Sequence, residues 1–183
     1  MVGMTRVQVS LPAAPWVPVP LEGDLREWAV RTAEELCAGK ERPEDLAEQL
    51  ATIAQHLQPL EPLAFAVLVP ETRPQAIAGV LVVHQVACGE DPGAVLADLA
   101  AESATDIVPP ELGRVDLPLG PAARRHGVTA AADGTIAETV EHVVPLGSGT
   151  GLRIDLSWGA VEHGEELVAL ADAAAAGLQL VDD

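Results

Sequence analysis

From Thr135 to Val144, and again from Gly151 to Trp158, apolar and polar residues alternate with the period of a strand that turns one face to a core. Ile136, Val140 and Val144 share one face of the first segment. Leu152, Ile154, Leu156 and Trp158 share one face of the second, while Arg153, Asp155 and Ser157 point the other way. The pattern predicts a half-buried sheet. Between the two segments, Pro145 to Gly151 contains three glycines, which take positive φ without steric cost, so it reads as a hairpin connection. A phosphate loop would need a helix directly after the glycines and a lysine to reach the phosphate, and this stretch has neither.

The rest of the chain divides in the same way. Arg6 to Leu11 alternates as a short strand; Pro12 to Pro20 carries four prolines around Trp16 and reads as an extended strap anchored by that tryptophan. Asp24 and Glu27 form a capping-box pattern ahead of Leu25, Trp28, Ala29, Ala33, Leu36 and Cys37 at helical spacing, up to Gly39. After a short link from Lys40 to Arg42, Pro43 with Glu44 and Asp45 opens a second helix through Leu46, Leu50, Ile53, Ala54 and Leu57, stopped by Pro59. Leu63 to Val69 and Ala76 to Ala87 are near-continuous apolar runs, which predicts a hairpin at the centre of the sheet with both faces covered. A third helix starts at Asp91 and Pro92, turns Val95, Leu96, Leu99 and Ala100 inward, and ends before Pro109 and Pro110. Leu112 to Ala130 reads as two short strands broken by a turn, or as an irregular surface segment. A helix from about Val161 to Leu178 closes the chain.

This order predicts one α+β domain over residues 1–183, with a single largely antiparallel sheet, helices on its faces and an inserted helical pair at about 24–57. At 183 residues such a domain buries about 70% of the surface its unfolded chain exposes, without a disulfide or metal staple. Cys37 and Cys88 fall in different elements and read as core thiols. The formal charge of −18 sets 28 acidic residues against 10 basic ones, with Lys40 the one lysine. Nucleic acid and anionic membrane are thereby poor partners, since both bind through Lys and Arg. The acidity serves solubility or a basic protein partner. Arginine over lysine, with abundant Ala, Gly, Pro and Val, points to a high-GC bacterium rather than a salty habitat. Residues 1–12 show no signal-peptide pattern and no run approaches ~20 apolar residues, so the expected location is cytoplasmic.

Candidate chemistry is sparse. His84 and Cys88 stand four apart on a strand, ~13 Å along the backbone, too far to share a metal unless the strand turns. His163 and Glu166 have the spacing for two ligands of a divalent ion, but a solvated acidic helix start explains them as well. Of the serines Ser10, Ser103, Ser148 and Ser157, none lies in a nucleophile elbow; Ser148 stands between two glycines, but in a hairpin. Arg124, Arg125 and His126 form the one basic cluster, read as an exposed loop balancing nearby acids or as an anion site. One Phe, no Tyr and three Trp leave no stacking platform for bases or sugars. The partner-binding candidates are Trp16 and Trp28, hot spots if exposed and core residues otherwise, together with the acidic Glu44, Asp45 and Glu48.

The run Arg6 to Trp16 (RVQVSLPAAPW) resembles the strand-to-tryptophan opening of PsbP-like domains, a superfamily that includes photosystem II extrinsic proteins, the Ran-release factor fold and actinobacterial LpqN-type lipoproteins. His142 to Gly147, Leu152 to Trp158 and Glu166 to Asp172 are similar to the closing hairpin and helix of actinobacterial relatives. The resemblance implies an α/β/α sandwich and an accessory or binding role, with no shared catalytic residues to carry over. The lipoprotein members begin with a signal sequence and lipobox cysteine, a pattern this sequence does not show. The function expected is a non-enzymatic acidic binding or adaptor protein that engages a protein partner, accessory to a secretion or assembly system and without a metal or cofactor. Two alternatives stand beside it: a small-ligand or hydrolytic domain with a pocket between sheet and helices, and an oligomeric structural subunit.

Overall fold

The computed structural model describes residues 6–9, 16–37, 42–70, 76–101, 106–130, 134–159 and 164–181. Seven strands form one antiparallel sheet: β2 (Trp16–Pro18), β3 (Ala64–Leu68), β4 (Gly79–Ala87), β5 (Glu111–Leu117), β6 (Gly120–Ala130), β7 (Ile136–Gly147) and β8 (Thr150–Trp158). Their order across the sheet is β2-β3-β4-β8-β7-β6-β5. β1 (Arg6–Val9) pairs antiparallel with β9 (Leu178–Val181) in a separate two-stranded ribbon. The closing hairpin β7–β8 thus occupies the middle of the sheet, where the sequence places Leu63 to Ala87; the β3–β4 hairpin is displaced toward one edge. The proline-rich strap contributes Trp16–Pro18 as the edge strand on that side, a position where a missing N–H costs no ladder bond.

Local chemistry explains the helices. Asp24 caps α1 (Leu25–Leu36), its Oδ1 accepting from the N–H groups of Arg26 at 2.9 Å and Glu27 at 3.0 Å. Pro43 begins α2 (Pro43–Leu57) and Pro92 begins α3 (Pro92–Ala101), positions where its fixed φ already suits the helix. α4 spans Gly164–Ala176; Gly177 ends it, so Leu178, expected as the last helical residue, starts β9 instead.

Helices cover both faces. α1 and α2 bury Trp28, Ala33, Leu46 and Leu50 against Val67, Val69 and Val82. Further along the same face, α3 sets Val95 and Leu99 on Ala123 and Val143. Ala100, expected inward, is exposed; Val95 and Leu99, one turn apart, make the contact with Leu96 beside them. On the opposite face α4 places Leu167, Ala171, Ala174 and Ala175 over Val140, Ile154 and Leu156. Ile136 shares the parity of that core face but lies beyond the start of α4 and is 42% exposed. The uncertain stretch before Ala130 proves to be a hairpin, with β5 and β6 of seven and eleven residues.

Candidate binding surface

α1 and α2 run antiparallel, and their outer faces leave a groove of about 540 Å³. Val30 on α1 and Ala47 and Ala51 on α2 supply its apolar floor. Glu34, Glu44 and Glu48 flank one end, while Arg26 and Gln55 flank the other. Helical spacing causes this: Ala47 and Ala51 are four apart, as are Glu44 and Glu48, so the small and acidic residues form two adjacent rows. Asp45, next to this row, pairs with Arg42 across 3.9 Å of exposed surface. A second groove, about 650 Å³, lies between the other flank of α2 and one end of the sheet. Asp45, Glu48 and Thr52 form its helical wall; Ile77, Val80 and Trp158 form its sheet side.

The residues expected to bind a partner divide between surface and core. Glu44, Asp45 and Glu48 are exposed and line these two grooves. Trp28 is 8% exposed and packs with Ala33 and Leu46 inside the α1–α2 core. Trp16 is half-buried against the α4-side core, with its indole Nε1 enclosed and without a hydrogen bond.

The centre of the sheet holds a set of charges that strand periodicity alone does not reveal. Arg124, Arg125 and His126 do not form an exposed loop. They lie on β6, and each meets a carboxylate. Arg125 is buried between Asp106 and Glu141, the latter 2.9 Å from its Nη1. Burial disfavours its charge, but the hydrogen bond it donates to Asp106 and the charge of Glu141 outweigh that and raise its pKa. Arg153 on β8 bonds the same Glu141 and, at 3.1 Å, Asp155; its pKa too is raised, these two carboxylates overcoming burial. Such shared pairs fit carboxylates and guanidinium groups that are largely removed from water. Arg125 is thereby engaged by the protein itself, as Arg124 is by Asp172 and His126 by Glu138, which leaves the anion-site reading without support.

Toward α4 the pattern repeats with histidines. His142, 1% exposed, sets Nε2 at 2.9 Å from Asp172 of α4, and Arg124 donates to the same carboxylate at 2.8 Å. Burial pushes the His142 pKa down, and the charge of Asp172 only partly opposes it. His126 Nε2 stands 2.6 Å from Glu138 Oε1, and the Trp158 indole donates to Glu138 Oε2 at 2.9 Å. On the opposite face, among the Arg125–Glu141–Arg153 charges, His84 lies 3.7 Å from Asp155, and burial, then Arg153, lower its pKa. Glu138, Glu141, His142 and Asp172 were invisible as a group in the sequence; the one signal is that Glu141 and His142 stand across the ladder from Arg125 and Arg124.

The remaining candidates scatter. Cys88 packs with the α3 core, apart from the His84–Asp155 pair, and burial raises its thiol pKa. Among the described residues no group of three His, Cys, Asp or Glu side chains is placed to hold a metal ion. Ser148 sits at φ 55° in the β7–β8 turn, its N–H donating to Glu90 at 3.2 Å, in a hairpin rather than an elbow. Ser10, Ser103 and His163 lie outside the described residues, and no described helix is long and apolar enough to cross a membrane.

No protein-family model matches the sequence. No curated protein matches it either. Solved structures do. LpqN of Mycobacterium tuberculosis, a protein involved in cell envelope biogenesis, superposes with a TM-score of 0.56 at 13% identity, over 100% of this chain and 87% of LpqN. The cyanobacterial PsbP (CyanoP) of Synechocystis sp. PCC 6803 is similar over 98% of this chain and 95% of its own, at 12% identity and a TM-score of 0.45. The likeness to LpqN shows that the chain has the PsbP-like α+β fold that the sequence resemblance implies.

Proposed function

We propose that this chain is a non-enzymatic binding protein that engages a basic segment of a protein partner at the outer groove of α1 and α2. The observation that carries the reading is the joining, in one groove, of an apolar floor (Val30, Ala47, Ala51) with an acidic end (Glu34, Glu44, Glu48). Apolar contact supplies affinity there, and the carboxylates supply orientation and salt-sensitive attraction to Lys or Arg. The net charge of −18 steers the same class of partner. On the enzymatic side, His84, His126 and His142 each face a carboxylate, and His56 faces the Thr52 carbonyl, rather than a serine or cysteine that a histidine base could activate.

The setting belongs to the proposal too: a cytoplasmic accessory to a secretion or assembly system, in keeping with the envelope role of LpqN, whose fold it shares. Capture of partners by tagged chain at ~150 mM and ~1 M salt, where screening shortens the reach of charge to ~3 Å, tests the reading. A partner retained at the lower salt, lost at the higher, and lost by an E44K/E48K bait supports it. A partner indifferent to both changes sinks it. The α2–sheet groove favours a second reading, a ligand with an apolar body and a donor-bearing head facing Asp45, Glu48 and Thr52. Small-molecule thermal-shift screening with a Gln49→Trp control distinguishes it, since Gln49 lines this groove and not the α1–α2 groove, and filling it abolishes a shift arising there.

A further inference from the structure

β5 is the last strand of the sheet, with β6 on one side and no strand on the other among the described residues. Its outer N–H and C=O groups are a template for one more strand, and proteins commonly blunt such an edge by keeping it short or charged. This edge spans seven residues, Glu111–Leu117, and its charges are arranged in a particular way. Arg114 and Asp116, both exposed, flank Val115 and lie on one face, two positions apart.

Opposite charges symmetric about a central residue are self-complementary. When two copies pair antiparallel about a two-fold axis at Val115, each Arg114 stands opposite the partner's Asp116, and the symmetry makes the contact twice. Gly113 then faces Leu117 of the partner subunit, and Leu112, 39% exposed, faces the partner's Pro118. Moving the axis to Arg114 overlaps all seven residues but sets Arg114 against the partner's Arg114, a repulsive arrangement. The charges therefore select one register. In the single chain the Arg114 guanidinium lies against Gly93 at the start of α3, so pairing with the partner's Asp116 turns that exposed side chain outward. An unrelated strand would have to bring acid and base at matched spacing, whereas a second copy supplies them by symmetry.

We propose that the β5 edge is a self-association site, at which two copies join their seven-stranded sheets through antiparallel β5–β5 pairing centred on Val115. Sedimentation equilibrium of the full chain from ~1 μM to ~500 μM tests it, since a dimer's mass follows protomer concentration. The wild-type mass is expected to rise toward that of two chains. Arg114→Asp and Asp116→Arg, each placing like charges opposite one another twice, are expected to raise the dissociation constant about tenfold or more, and the double variant R114D/D116R to restore it to within about threefold. Thermal melts of each variant confirm that these exposed changes leave the fold intact. A wild-type mass that stays monomeric throughout, single variants that dimerise like wild type, or a double variant that remains weak would each overturn the proposal.

Discussion

The guanidinium of Arg125 folds back over Gly127, so that a Cβ added there would lie 2.7 Å from Nη2. Arg125 has little room to yield, being buried and held by Asp106 and Glu141. Gly127→Ala is therefore expected to lower stability by about 1–3 kcal/mol, read from the urea midpoint; an unchanged midpoint would mean the network is looser than its hydrogen bonds imply. His84 and His142 add a dependence on acidity. Both have folded pKa values below the unfolded imidazole's, so between the two values the unfolded chain binds more protons and stability rises with pH. Their contribution is complete above about pH 6.5 and declines as pH falls below it, toward the lowered folded values. Thermal melts at pH 7.5 and 5.5 should show a drop, and His142→Gln should make that drop smaller.

Among the elements, the β7–β8 turn offers the simplest test. Ser148 at φ 55° and Gly149 at φ 75° place two left-handed residues in a two-residue loop, the geometry of a type I′ hairpin, where Asn-Gly is preferred. Ser148→Asn is expected to raise stability by about 0.5 kcal/mol in denaturant unfolding, because asparagine tolerates that conformation better than serine. The helix starts were legible for the same local reason: Asp24, Pro43 and Pro92 act on their own first turns. The β5–β6 hairpin was less legible. Arg124, Arg125 and His126 look like a solvated loop because the groups that neutralise them, Asp172, Glu141, Asp106 and Glu138, arrive from 48, 16, 19 and 12 residues away. Strand order was hidden by the same distance, since the apolar runs of β3 and β4 match a central position as well as the place they occupy beside it. The acidic rows of α2 could be read from spacing, but the groove they border depends on how α1 packs against them.

For the molecule as a whole, 28 acidic residues against 10 basic ones leave a surface that repels itself, an unfavourable field that the compact state must contain. Added salt screens that field over a Debye length of ~8 Å at 0.15 M and ~3 Å at 1 M. The melting temperature is accordingly expected to rise between ~20 mM and ~500 mM NaCl, and calorimetry at pH 7.5 would show it; a fall would mean that the attractive pairs around Glu141 and Asp172 outweigh the repulsion. The ribbon of β1 and β9 acts at this scale as well. Arg6 lies opposite Val181, and Val9 opposite Leu178, so the outermost residues of the two strands are paired with each other. A pull applied beyond Arg6 and Val181 loads one rung at a time and opens the ribbon like a zipper at low force, leaving the seven-stranded sheet untouched until the last rung parts.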